Sequence, residues 1–312
     1  METFTIKLSA IIPADYTNQR LDQTLAKLFP NYSRENLKQW ILDGSCLVNN
    51  KTSKPKYKVK GGESIDLNAK LVNKNSEYLA ENLPIDIIYE DQDLLIIDKA
   101  SNLVVHPGAG NWQGTLLNGL LYYSPELKLI PRGGIIHRLD QDTTGLMIIA
   151  KSLVAYNNLI KQFKNRSIIK IYEAIVVGDL IAGSTINAPI GRDKFNRLKM
   201  SITENGRSAI THYTVLKRFN KNPNKYTYIK IKIETGRTHQ IRVHFQHIKH
   251  PILGDKLYSN SKGINQIIKK FPRQALHAKE LIFTHPITGN QAHFISDLPT
   301  DLQNLLTLLE QY

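Results

Sequence analysis

Gly134-Ile135-Ile136-His137-Arg138-Leu139-Asp140-Gln141-Asp142-Thr143-Thr144-Gly145-Leu146 is the densest run of chemistry-bearing side chains in the sequence. Asp140 follows an apolar, strand-like pair and precedes Thr143-Thr144-Gly145, a loop signal before the buried strand expected at Leu146–Ala150. A carboxylate beside an arginine at a sheet edge can be held ionised at neutral pH and serve as nucleophile or base. The same spacing suits a structural Arg–Asp pair that ties a loop equally well. Leu139 and Asp140 stand in the reverse order of a kinase His-Arg-Asp-Leu loop, and no Asn follows at the required offset, so that reading is excluded.

Outward from this run, strands are expected at Ile85–Tyr89, Leu94–Ile97, Ile168–Val177, Ile210–Phe219, Tyr226–Glu234, Glu280–Thr284 and Gln291–Ile295. Helices are expected at Thr115–Tyr123, Leu153–Asn165, Thr238–His247 and Asp301–Gln311. Strands in runs, punctuated by helices, indicate an α+β domain with a largely antiparallel mixed sheet. No Gly-rich phosphate loop of Walker or Rossmann spacing is present, which argues against an NTPase or a dehydrogenase.

Two further constellations lie in this part. Lys170, Tyr172 and Ala174 alternate onto one face of a strand, where a tyrosine can stack on a base, act as acid or base, or simply fill the core. In Glu234-Thr235-Gly236-Arg237-Thr238-His239-Gln240-Ile241-Arg242, Gly236 suits a turn, and Arg237 falls at the N-terminal end of the helix that follows. His239, His244, His247 and His250 lack the His-Glu-x-x-His spacing and a nearby acidic ligand, so no metal site is expected.

The N-terminal part reads as two helices, Gln19–Phe29 and Arg34–Leu42, the second capped by Ser33. Short strands follow at Cys46–Val48 and Ser64–Leu67, with Gly61-Gly62 turning between them. Residues 69–84 are polar and unperiodic, and a linker is placed there. The expected division is a domain over 1–75 (core 18–68), a linker over 76–84 and a second domain over 85–312. Lys51, Lys54, Lys56, Lys58 and Lys60 fall within ten residues, and taken alone read as a solvated loop.

Composition bounds the function. The 312 residues carry 41 Lys and Arg against 27 Asp and Glu, a net +14, which points to an anionic partner. Both parts share the excess: residues 1–75 hold 12 basic and 7 acidic side chains. A single cysteine, Cys46, excludes an internal disulfide and a cysteine-based zinc site. The first residues lack a secretory signal, and the uncharged stretch from Ala100 to Pro125 is broken by prolines and glycines. A soluble, cytoplasmic chain is expected.

Taken together, the motifs resemble those of the RluA-type pseudouridine synthases. The resemblance rests on His137-Arg138-Leu139-Asp140-x-x-Thr143-x-Gly145-Leu146, then Lys170-x-Tyr172-x-Ala174, then Glu234 through Arg242. His250-Pro251-x-x-Gly254-Asp255, Leu276-His277-Ala278 and His285-Pro286-x-Thr288-Gly289 follow in the same order. The N-terminal part resembles an S4-type RNA-binding module through Arg20-Leu21-Asp22-x-x-Leu25, Ser33-Arg34, Ile41-x-x-Gly44, Val48-Asn49 and Val59-x-x-Gly62-Glu63-x-Ile65. Asn50-Lys51 departs from the usual Gly-Lys, but Asn tolerates left-handed backbone, so the turn is expected to survive. With Val104 through Asn111, the chain is most similar to the large-subunit rRNA pseudouridine synthase D branch of that family.

The resemblance implies isomerisation of uridine to pseudouridine in 23S rRNA, at the helix 69 stem-loop. It implies Asp140 as the essential aspartate, Arg237 as its charge partner and Tyr172 against the uracil. Arg138 would fill the space left by a flipped uridine, while Arg20, Arg34, Lys38 and Lys51 would hold rRNA backbone. It also implies no metal and no cofactor, 23S rRNA or a large-subunit precursor as partner, and a monomer by default. The competing readings are a family member acting on other rRNA or tRNA uridines, a catalytically silent RNA-binding assembly factor, and a metal hydrolase built on the histidines.

Overall fold

The structure is a computed structural model that describes residues 5–70, 78–108, 110–221, 224–259 and 271–311. Its N-terminal unit holds β1 (Thr5–Ile11), α1 (Leu21–Leu28), α2 (Arg34–Leu42), β2 (Cys46–Val48), β3 (Lys51–Thr52) and β4 (Ser64–Lys70), with the sheet ordered β1-β4-β2-β3. Leu21 and Leu25 on α1, and Leu37 and Ile41 on α2, repeat at i, i+4 and bury together against Val48, Ile65 and Leu67. The Ser33 hydroxyl accepts from Asn36 N at 3.1 Å, the cap expected for α2. Asn49 and Asn50 both adopt positive φ (48° and 61°) in the two-residue turn from β2 to β3, so the turn survives the departure from Gly-Lys.

Two N-terminal expectations need correction. β1 was not anticipated: its burial alternates between exposed and half-buried, leaving only a weak apolar signal. Because β1 pairs with β4 out to Thr5↔Lys70, strand replaces the start of the polar stretch assigned to residues 69–84. Of the 76–84 segment, residues 76 and 77 lie outside the described residues. The rest follows the side of α3 (Leu116–Tyr123), where Asn118 Nδ2 donates to Leu79 O at 2.7 Å and Glu81 N to Asn118 O at 3.0 Å.

The second unit adds β5 (Asp86–Glu90), β6 (Leu94–Lys99), β7 (Thr144–Ala150), α4 (Leu153–Lys164), β8 (Ile169–Val177), β9 (Ser184–Asn187), β10 (Ile190–Arg192), β11 (Met200–Ile202), β12 (Ile210–Lys221), β13 (Asn224–Ile233), α5 (Gln240–His247), β14 (Leu276–Thr284), β15 (Gln291–Ile295) and α6 (Thr300–Gln311). Among the described residues its main sheet runs β5-β6-β7-β14-β8-β13-β12-β9, with β15 also on β14. Among the described residues, only the β7–β14 pairing is parallel. The fold is therefore α+β with a mixed, largely antiparallel sheet. The short strands β9, β10 and β11 were not anticipated from sequence.

The apolar runs of β6 and β7 divide between two faces. Leu94, Ile96, Leu146 and Ile148 bury against Ala155 and Leu159 of α4. Leu95, Ile97, Met147 and Ile149 join the larger core that includes Leu116, Leu117 and Leu120 of α3. Covered on both faces, these strands read as continuous apolar runs rather than alternation. Each such Leu or Ile contributes about 2 kcal/mol of transfer free energy.

At the parallel seam β7 meets β14 through Thr144↔His277 and Gly145↔Ala278. Gly145 has φ 114°, and a Cβ there would stand 2.3 Å from Ala278 O, so the close approach requires glycine. His277 is fully buried beside it, its Nδ1 2.9 Å from the Thr144 hydroxyl and its Nε2 3.2 Å from the Ser296 hydroxyl. Burial lowers the imidazole to about 4. The unfolded chain takes up this proton below about pH 6.5, the folded chain only near 4, so the stability held by the neutral ring is lost as pH falls across that window. Thermal melts from pH 7 to pH 4.5 are expected to fall less steeply for His277→Gln than for the unaltered chain. Equal slopes would contradict this assignment.

Candidate active site

Asp140 sits in the turn that leads into β7, with its backbone carbonyl accepting from Thr143 N at 3.0 Å. Two buried cations clamp this turn through its main chain. Lys99 Nζ donates to Gln141 O at 2.8 Å, and also to Ala100 O and Leu103 O. Arg273 Nη1 donates to Asp142 O at 3.2 Å, while its Nε and Nη2 hold Asp301. Burial brings the Lys99 ammonium down to about 8, and the three carbonyls supply its hydrogen bonds. Neither residue was singled out from sequence, because they meet the turn through its main-chain carbonyls, which no side-chain pattern records.

The Asp140 carboxylate is 17 % exposed and opens into a cleft of about 580 Å³. Arg242 Nη1 donates to its Oδ2 at 2.9 Å. The same guanidinium makes a two-pronged pair with fully buried Asp255, Nε to Oδ2 at 2.7 Å and Nη2 to Oδ1 at 3.0 Å. Asp255 is held in turn by the backbone N–H groups of Leu257 and Tyr258. Burial alone would lower Arg242, but its bonds and charge interactions with Asp255 and Asp140 outweigh that and hold it above its ordinary value. A rigid fork thus presents a fixed positive charge to one oxygen of Asp140.

This corrects the expected Arg237–Asp140 pair. α5 begins at Gln240 rather than Thr238, and His239 just before it takes a left-handed φ of 55°. That phase turns Arg242 inward onto Asp140 and leaves Arg237 on the loop, where its Nε donates to Ser208 O at 3.1 Å. Gln240 ties this loop down, accepting from Thr235 Oγ1 at 2.7 Å and Arg237 N at 3.1 Å. Burial, then Arg207 and Arg166 nearby, lower the Arg237 guanidinium. It still lines the same cleft as Asp140.

Facing Asp140, Tyr172 rises from the middle of β8, between Ile231 of β13 and Ala278 of β14, and is 7 % exposed. Burial first, and the Asp140 charge second, push its phenol well above the ordinary range, so it is neutral at physiological pH. On the other oxygen of Asp140, His239 Nε2 stands 3.8 Å from Oδ1. Its Nδ1 is 2.9 Å from the Tyr258 hydroxyl, which also accepts from Met200 N at 2.8 Å. Burial lowers the His239 imidazole despite the neighbouring carboxylate. Two other histidines of that run have their own partners: His244 meets Thr211 and Ala188 O, and His250 meets Val177 O.

The cleft as a whole is cationic. Arg132, Arg138, Lys164, Arg166, Lys170, Arg207, Arg237 and Arg242 line it, against the carboxylates of Asp140 and Glu234. The sequence-selected residues Asp140, Tyr172, Arg237 and Arg138 all meet here. Arg20, Arg34, Lys38 and Lys51 lie elsewhere, on the N-terminal unit. Arg20 and Arg34 both grip the buried Asp22 carboxylate, and Lys38 lies 3.5 Å from Glu35.

A family model described as RNA pseudouridylate synthase matches residues 93–247, and an S4 domain model matches residues 19–65. A ribosomal large subunit pseudouridine synthase D of Pseudomonas aeruginosa is 46 % identical over 314 positions, covering 98 % of this chain and 97 % of its own length. The chain belongs to the RNA pseudouridylate synthase family. A ribosomal large subunit pseudouridine synthase D of Escherichia coli is 43 % identical over 97 % of this chain and 94 % of its own. Human RNA pseudouridylate synthase domain containing 4, a solved structure, shares the fold with a TM-score of 0.57 and 25 % identity over 72 % of this chain and 93 % of that one.

This synthase is an isomerase, and its S4 domain is an RNA-binding one. Its site geometry accounts for most of the quoted motifs. Glu234 through Arg242 form the loop and first turn that carry His239 and Arg242, and Gly254-Asp255 supplies the carboxylate that steadies Arg242. Among the described residues, no helix is long and apolar enough to cross a membrane.

Proposed function

We propose that this synthase converts uridine to pseudouridine in 23S rRNA, at the helix 69 stem-loop, with Asp140 as the essential carboxylate. The observation that carries the reading is one carboxylate, ion-paired to Arg242, in a cationic cleft against a neutral tyrosine. The large-subunit rRNA target is supported by the names of the relatives that match nearly the whole chain.

The reaction breaks the N1–C1′ bond, turns the uracil, joins C5 to C1′, and moves a proton from C5 to solvent while N1 gains one. No electron is transferred and no group is donated. What the chain must supply is a nucleophile or base near C1′ and C6, a floor for the ring, and charge for the strand. Asp140 supplies the first, with Arg242 fixing the direction of its carboxylate. Tyr172 supplies the floor. Being protonated, its hydroxyl can take the C5 proton only by handing its own onward.

A stacked uridine reaches this cleft by flipping, at a cost of about a few kcal/mol. Arg138, exposed at the cleft two residues before Asp140, fills the vacated position. Arg20, Arg34, Lys38 and Lys51 contact rRNA backbone from the S4 domain. A further contact comes from the β10–β11 hairpin, where Phe195 is 98 % exposed among Arg192, Lys194, Arg197 and Lys199, a stacking platform within a basic finger.

Pseudouridine mapping across 23S rRNA from cells lacking this gene tests the proposal. Defined positions in the helix 69 loop are expected to revert to uridine, and to be restored by the unaltered gene. An unchanged rRNA map would overturn the target.

A further inference from the structure

Lys170 is a cation that the reaction as described leaves without a task. It precedes Tyr172 by two residues on β8, so both side chains stand on the face that lines the cleft, about 7 Å apart along the strand. Lys170 is 8 % exposed. Its ammonium lies 5.2 Å from the centre of the Phe163 ring and lines the cleft beside Gly236, 3.9 Å from where a Cβ on that glycine would stand, which is an ordinary contact distance. Among the described residues it makes no hydrogen bond and no ion pair. The neighbouring strands place the apolar Ile233 and Leu281 opposite it.

The other buried cations of this region are satisfied. Lys99 has three carbonyls, Arg242 two carboxylates, and Arg273 a carboxylate and three carbonyls. A buried charge without a partner is costly, so a site that keeps one is shaped for an anion that arrives later. With Tyr172 as the floor for the base, Lys170 lies one strand repeat away on the same cleft-lining face, beside Phe163 and Gly236, within reach of the strand attached to a seated nucleotide.

We propose that Lys170 Nζ receives the backbone phosphate adjoining the flipped uridine. The inference rests on the reading of this cleft as the uridine pocket, and it names the group that anchors the strand there. A phosphate fits better than a uracil carbonyl because it brings a full negative charge to a cation that has none beside it. Burial without compensation brings the free ammonium down to about 8, and a bound phosphate would raise it again. The charged and titratable groups that share this part of the cleft are Arg132 and His137 before Asp140, Lys164 at the end of α4 and Arg166 just after it, Glu234 and Arg237 before α5, and Tyr172. His137 is held neutral by burial, with a value of about 3, and Tyr172 is held neutral as well.

Binding of uridine, uridine 3′-monophosphate and uridine 5′-monophosphate to the full chain, followed by NMR titration, tests the proposal. The unaltered enzyme is expected to bind one monophosphate at least tenfold more tightly than uridine. Lys170→Met should cut that preference at least fivefold while leaving uridine affinity within twofold, and Lys170→Arg should retain most of it. Between pH 7 and pH 9 the preference should fall in the unaltered enzyme, because the ammonium is lost while the uracil is common to all three ligands. An unchanged preference in Lys170→Met, or equal weakening of all three ligands, would overturn the proposal. Should Lys170→Met fail to fold, Lys170→Gln takes its place, and an unchanged preference in that variant would overturn it as well. Pseudouridine formation is measured separately: turnover without phosphate preference refutes the role of Lys170 alone, and phosphate preference without turnover refutes the isomerase reading of the cleft alone.

Discussion

Asp140→Asn abolishes pseudouridine formation, by at least about 10⁴-fold, and leaves RNA affinity within about twofold. The substitution keeps the shape of the side chain and removes only its charge and its capacity to attack or accept a proton. The surroundings tolerate it, because Arg242 retains both prongs of its pair with Asp255 and the turn is held through main-chain atoms by Lys99 and Arg273. RNA affinity persists because the cations that meet the strand are untouched. Filter binding and single-turnover assays on one rRNA transcript read both quantities. Turnover near the unaltered rate would remove Asp140 from the chemistry.

Arg242→Lys is expected to lower the single-turnover rate by about 10²–10³-fold, with RNA affinity within a few-fold. A lysine restores charge but cannot direct three donors in one plane at two carboxylates, and Asp140 loses its fixed orientation. Arg242→Met goes further, because Asp255 is left buried without a cation, which costs about 3–5 kcal/mol of stability. Arg237→Lys is expected to act on RNA affinity instead, since Arg237 meets Ser208 O and not Asp140. Should Arg237→Lys lose its rate while Arg242→Lys keeps it, the pairing described here would not be the one that operates.

Much of this was legible in the sequence for identifiable reasons. The strands β6, β7 and β8 announce themselves through long apolar or alternating runs, and Gln291–Ile295 and Arg34–Leu42 occur at the expected bounds. Tyr172 and Lys170 could be placed on one face because strand periodicity is strict. The strands β9, β10 and β11 escaped because they are three or four residues long and largely exposed or half-buried, leaving little pattern to read. The partner of Asp140 escaped for a subtler reason. Arg237 and Arg242 share one motif, and the choice between them depends on where α5 starts. His239 adopts left-handed backbone without being glycine, a conformation its sequence does not signal, and two residues of helical phase decide which arginine turns inward. Asp255, which completes the fork, is distant in sequence and recognisable only once Arg242 is seen to be buried.

The most direct test of the central claim, that Asp140 drives uridine isomerisation in this cleft, follows the hydrogen that the reaction must release. A 23S rRNA transcript carrying tritium at uracil C5 is incubated with the purified chain, and tritium in water is counted against protein. The account predicts release that saturates at a small whole number of tritium atoms per rRNA and is absent with Asp140→Asn. Binding of the transcript with no tritium released by the unaltered chain, or equal release by both, would contradict it.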